Sequence, residues 1–109
     1  MALKHARAGE VFDISPLGSG LGDAKTGAIV KSRSFEAVRL IVRAGILIPT
    51  HKVPGQITLH CLEGRVEIGL DDHNIELAAN EWVYLEGGES HSVKGIEDSS
   101  LLLTILFVP

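Results

Sequence analysis

Apolar and polar residues alternate along most of this chain, and turn-forming residues interrupt the alternation about every ten positions. The clearest case is FEAVRLIVRA, residues 35–44. Val38, Leu40 and Val42 fall on one face of an extended strand, with Arg39, Ile41 and Arg43 on the other. A repeat of two is the signature of a half-buried β-strand. The same reading predicts strands at EVFDI (Glu10 to Ile14), AIVKS, IELAA, EWVYLE and ESHSVKG. It also predicts a pair, ITLHCLEG and RVEIGL, joined by a tight turn in LEGR, with DDHN as a polar hairpin tip. The last strand, from about Ser100 to Val108, is nearly all apolar, as suits the middle of a sheet buried on both sides. SPLGSGLGDAKTG reads as a long polar loop. Its GSGLG (Gly18 to Gly22) is followed by no helix pattern, so the helix N-terminus of a phosphate-binding turn is missing. No amphipathic helix, repeat or heptad is found. The fold class is all-β, and closure into a barrel removes the exposed edges that so many strands create.

Composition narrows this to one domain. The chain has 109 residues with 45% apolar positions, enough for a core without staples. A lone cysteine, Cys61, allows no internal disulfide and fits a reducing cytoplasm. LLLTILFV is far short of the ~18 residues of a membrane span. MALKHARAGEVF has no signal-peptide core, so a cytoplasmic location is expected. The net charge is −4 and the only basic cluster is Lys31 to Arg33, which leaves no footprint for nucleic acid and no membrane partner.

Candidate chemistry concentrates between residues 45 and 95. Gly45 is followed by five residues, His51, one residue, and Val53; Ile57 and Gly64 complete the spacing, with Gln56 beside Ile57. A second stretch runs Asn80, five residues, Glu86, Gly88, two residues, His91, and then Gly95. These spacings resemble the two motifs of the cupin superfamily, G-x5-H-x-H-x3,4-E-x6-G and G-x5-P-x-G-x2-H-x3-N. HKVPG, CLEGRV, ESHSV and EDSSLLLTIL resemble a small, single-domain, bacterial RmlC-like subgroup, mostly without assigned activity. The resemblance implies a jelly-roll, or double-stranded β-helix, barrel over residues 26–109. It implies an N-terminal strand and loop over residues 1–25 that packs on the barrel or on a dimer partner.

In the full motif three imidazoles and one carboxylate hold a divalent metal in the barrel mouth. Here Val53 stands where the second histidine belongs, Ile57 where the glutamate belongs, Glu86 where the proline belongs and Gly95 where the asparagine belongs. Only His51 and His91 remain, and the resemblance places them on adjacent strands facing each other. Two readings stand. One is a hydrogen-bonded pair in a metal-free pocket. The other is a single divalent transition metal (Zn, Ni, Fe or Mn) on both rings, completed by Gln56, water or a small carboxylate. Two imidazoles fall short of the three protein ligands of a catalytic zinc. Gln56 needs a bulge, made plausible by Pro54-Gly55, to turn inward. Cys61 has inward parity but lies too deep to be a ligand and reads as core. His60 has outward parity. His73 sits in the hairpin tip and His5 near the N-terminus, neither with a role. Glu63 reads as solvated in its turn, Trp82 and Tyr84 as core or interface, and Phe35 and Phe107 as core.

Three functions follow. The first is binding of a small molecule in a pocket lined by His51, Val53, Ile57, Leu59 and His91, without need of a metal. The second is a metal-dependent dioxygenase, isomerase or lyase using the depleted two-histidine site. The third is a structural homodimer, which the resemblance implies, with Thr58, His60 and the N-terminal strand at the contact.

Overall fold

Strand β4 (Ile57–Glu63) shows how the alternation builds the fold: Ile57, Leu59 and Cys61 are buried, while Thr58 and His60 lie half-buried on the other face. A computed structural model of the chain describes residues 5–108; expectations for residues 1–4 and 109 lie outside it. Eight further strands occur among the described residues. They are β1 (Gly27–Lys31), β2 (Phe35–Val42), β3 (Leu47–His51), β5 (Arg65–Gly69), β6 (Asn74–Ala78), β7 (Trp82–Leu85), β8 (His91–Gly95) and β9 (Ser99–Leu106). They form two antiparallel sheets, in the orders β1-β2-β9-β4-β7 and β3-β8-β5-β6. The sheets close over one apolar core in which Leu59, Ile68, Leu101, Val42 and Val66 are almost wholly buried. The apolar β9 runs between β2 and β4, the central place its sequence requires. No helix among the described residues is long and apolar enough to cross a membrane.

The turn in LEGR forms where expected. Gly64 has φ +89°, and a Cβ there would collide with Asp98 O and Ser99 Oγ, so only glycine fits. The N-terminal segment departs from expectation. Glu10–Ile14 is coil, because short polar side chains bind the nearby backbone: Glu10 accepts from Arg7 N and Asp13 from Ser15 N. The following loop carries a short 3-10 helix, Gly18–Asp23. Phe35 is exposed and Phe107 only half-buried, so neither belongs to the core cluster.

The segment lies against the barrel through a polar clasp. A bulge in β4 between Cys61 and Glu63 breaks the alternation, so that Glu63 pairs with Ser100 on the outer face instead of following Cys61 inward. There Glu63 accepts hydrogen bonds from Leu17 N (2.7 Å), Gly18 N (3.1 Å) and Ser100 Oγ (2.8 Å). Arg39 Nη2 sits 3.6 Å from it and donates to Ser15 O at 2.7 Å. Arg43 Nη2 donates to Gly22 O and Ala24 O. Glu63 is therefore not a solvated turn residue: its side chain is 15% exposed and ties the segment down. Likewise Arg39, on the polar face of β2, is buried because the segment covers it.

Burial pushes the Glu63 carboxyl up, but the Leu17, Ser100 and Gly18 hydrogen bonds, with the Arg39 charge, outweigh it and hold the carboxyl below its usual value. A depressed folded value means that the clasp is at full strength above the unfolded glutamate value of ~4.3 and fails as the pH falls through the folded one. Glu63→Ala should cost on the order of 3 kcal/mol, because it strands the Arg39 charge. In thermal melts that deficit should shrink on acidification below about pH 4, and amide exchange at Leu17 and Gly18 should quicken in the variant at neutral pH.

Candidate functional site

The two histidines meet because β3 and β8 pair in a particular register. His51 is the direct partner of His91, while Ile48 partners Val93. Three residues of β3 thus span two of β8, an irregularity between Ile48 and His51. In unbroken alternation His51 would face away from Ile48; the extra residue turns it to the same side. Pro49 stands within the irregularity, where a residue without an N–H costs no ladder bond. The ring centroids lie 4.4 Å apart with planes tilted by 59°. His91 is 5% exposed and His51 is exposed, so one ring forms the wall and the other the rim.

Each ring is fixed by its own backbone. His51 Nδ1 lies 3.0 Å from Pro49 O, and His91 Nδ1 lies 3.1 Å from Glu89 O. A carbonyl oxygen only accepts, so each Nδ1 carries the proton, and in the neutral rings each Nε2 is left as an acceptor. Beneath the pair lies a cavity of about 110 Å³, lined by Leu40, Ile48, Ile57, Leu59, Val93 and Leu103 together with both histidines. Two acceptors thus stand over an apolar floor.

Of the residues expected to form this site, His51, Ile57, Leu59 and His91 come together here. Val53 instead lines a groove with Ile105 and Phe107. Gln56, the candidate third donor, is exposed and gives its Nε2 to Glu86 at 3.2 and 3.4 Å. Leu40, Ile48, Val93 and Leu103 were not foreseen as lining. Leu40 was legible through its parity with Val42; the other three needed the sheet register. No group of three or more histidine, cysteine, aspartate or glutamate side chains able to hold a metal occurs among the described residues. The donors present do not fit the four-ligand centre that the motif spacing implies.

His60 faces outward, opposite Trp82 on β7 and Leu102 on β9, while Thr58 stands opposite Tyr84 and Thr104. Trp82 and Tyr84 are 57% and 52% exposed, with ring centroids 6.2 Å apart. They form an uncharged surface patch and not core. His73 binds its neighbour Asp72 in the hairpin tip, and His5 is exposed.

Many solved structures match this architecture. A conserved protein of unknown function from Streptococcus pyogenes aligns over 100% of this chain and 96% of its own, with a TM-score of 0.78 and 17% identity. A cupin superfamily protein from Desulfitobacterium hafniense aligns over 99% of both chains at 0.78 and 16% identity. This is the cupin fold. An RmlC-like cupin from Desulfovibrio desulfuricans matches 74% of this chain and 79% of its own, at 0.68 and 25% identity. No family model and no curated protein matches the chain in sequence. The cupin double-stranded β-helix supplies the barrel, and the chemistry at its mouth is set by this chain's own residues.

Cys61, on the inner face below the cavity, is fully buried, with Sγ donating to Glu63 O at 3.4 Å. Burial pushes its thiol up. A disulfide reagent should leave Cys61 unmodified in the native protein and titrate one thiol per chain in denaturant; rapid native labelling would contradict this placement.

Proposed function

We propose that this cupin-fold protein binds a small, compact molecule in the cavity beneath His51 and His91 at the barrel mouth, without a metal. The observation that carries this reading is the pair of imidazoles anchored through Nδ1 over an apolar cavity. Two Nε2 acceptors on an apolar floor suit a ligand with one hydrogen-bond donor group and a short apolar body. Size limits the ligand further. The cavity is about 110 Å³, below the ~150 Å³ that takes a benzene ring and the ~300 Å³ at which most small-molecule sites begin. The ligand therefore has about six heavy atoms or fewer inside the barrel, and any larger part lies past the exposed His51.

Nδ1 anchoring to a backbone carbonyl is also what metal-ligating histidines use. A metal-dependent dioxygenase, isomerase or lyase would build on that, but two protein donors are one short of a catalytic zinc site. The two readings separate cleanly. Titration with isobutyramide, whose NH2 can donate to both rings, followed by imidazole ¹⁵N shifts, should move both Nε2 signals together and saturably. His91→Phe should abolish the response at His51. Incubation with Zn, Ni, Mn or Fe(II) should leave well under one equivalent per chain. A full equivalent that His51→Ala removes would sink the metal-free reading and favour the enzyme.

A homodimer is the second part of the proposal, and the Trp82–Tyr84 patch supports it. An uncharged sheet face with two exposed aromatics is a self-complementary surface for a twofold contact. It includes Thr58 and His60. Sedimentation at micromolar concentration should give a dimer, and Trp82→Glu should give a folded monomer. A monomeric parent protein would refute it.

A further inference from the structure

A second cavity, on the opposite face of β2 from the histidine pocket, lies between the N-terminal segment and the outer face of β2. Its volume is about 330 Å³, within the ~300–1,000 Å³ of small-molecule sites. Phe12, Leu17, Ala24 and Ile41 supply an apolar wall, and Asp13, Lys25 and Arg39 supply charge. Arg39 is 8% exposed. Its Nη2 is used by Ser15 O and Ser100 Oγ, and faces Glu63. Its Nε is buried with no partner, and its Nη1 makes no hydrogen bond among the described residues. A guanidinium has five N–H donors, so three of this one's are unspent, and the one on Nε is buried where polar groups are normally satisfied.

Charge selects the kind of ligand. Glu63 offsets Arg39 from below, leaving Lys25 and Asp13 as opposite charges at the cavity wall. A net-neutral lining with separated charges disfavours a simple anion or a simple cation. It fits a molecule that carries both charges and an apolar side group. We propose that this cavity is a binding site for a small apolar α-amino acid. Arg39 Nη1 and Lys25 receive the carboxylate, Asp13 receives the ammonium group, and Phe12, Leu17 and Ile41 enclose the side chain. Because the segment that roofs the cavity is tied down by the Glu63 clasp, occupancy also holds this segment on the barrel.

The test is titration of the ¹⁵N-labelled full chain with L-leucine, isocaproate and isoamylamine, which share one apolar body and differ in charge. L-Leucine should give saturable amide shifts at Phe12, Leu17, Lys25 and Ile41. The two singly charged analogues should bind about tenfold more weakly, the loss expected for one charge-assisted contact. Asp13→Asn and Lys25→Gln, both surface changes that leave the clasp intact, should each weaken L-leucine by about the same factor. Slower amide exchange at Leu17 and Gly18 in the presence of L-leucine should accompany binding. No shifts up to about 10 mM, an affinity too weak to matter, would overturn the proposal. So would equal binding of isocaproate, or shifts confined to the surroundings of His51 and His91.

Discussion

Strict alternation along extended strands is the constraint on which this molecule rests. With one face of each sheet turned to a shared core, every second residue must be apolar, and a slip of one residue reverses the whole set. Leu59, Val66, Ile68 and Leu101 show it obeyed. The candidate features sit where it is broken. An extra residue in β3 brings His51 round to His91, and a bulge in β4 sends Glu63 outward to Arg39. Each break costs some ladder pairing and re-aims one side chain, a common use of bulges beside sites.

The two sites differ in how their polar groups are satisfied. At the barrel mouth each imidazole is held by a carbonyl two residues away on its own chain, so the orientation of each ring is set locally. At the outer face Arg39 and Glu63 are bound mainly by distant residues, including backbone groups of the N-terminal segment. The first is a preorganised pocket; the second is a clasp that exists only when the segment is in place. The cupin-fold barrel is thus extended by residues 5–26, which form no strand and are tied down by side chains on β2 and β4.

Parity explains both what could be read in advance and what could not. Alternation in residues 35–44 and 57–61 marked β2 and β4, and the spacing around His51 and His91 pointed to the cupin barrel. Glu63 misled, because its place just before Gly64 in the turn signal LEGR suggested solvent and nothing local marks the bulge. EVFDI misled because its Val, Phe and Ile suit a strand, yet Asp13 and Glu10 close local turns before any strand can pair. Trp82 and Tyr84 alternate like strand residues, but no sheet covers their face.

By itself, the sequence determined the all-β class, the central position of the apolar last strand and the candidacy of His51 and His91. The first two follow from periodicity, a local property, and the third from the resemblance of the motif spacing to that of cupins. Only the tertiary structure decided that Gln56 joins Glu86, that Val53 lines a different groove, and that Arg39 and Glu63 meet under the N-terminal segment. Each depends on which strands lie side by side and where their registers slip. Such pairings join residues tens of positions apart, and the energy that fixes them comes from closing the core, not from any single stretch of chain.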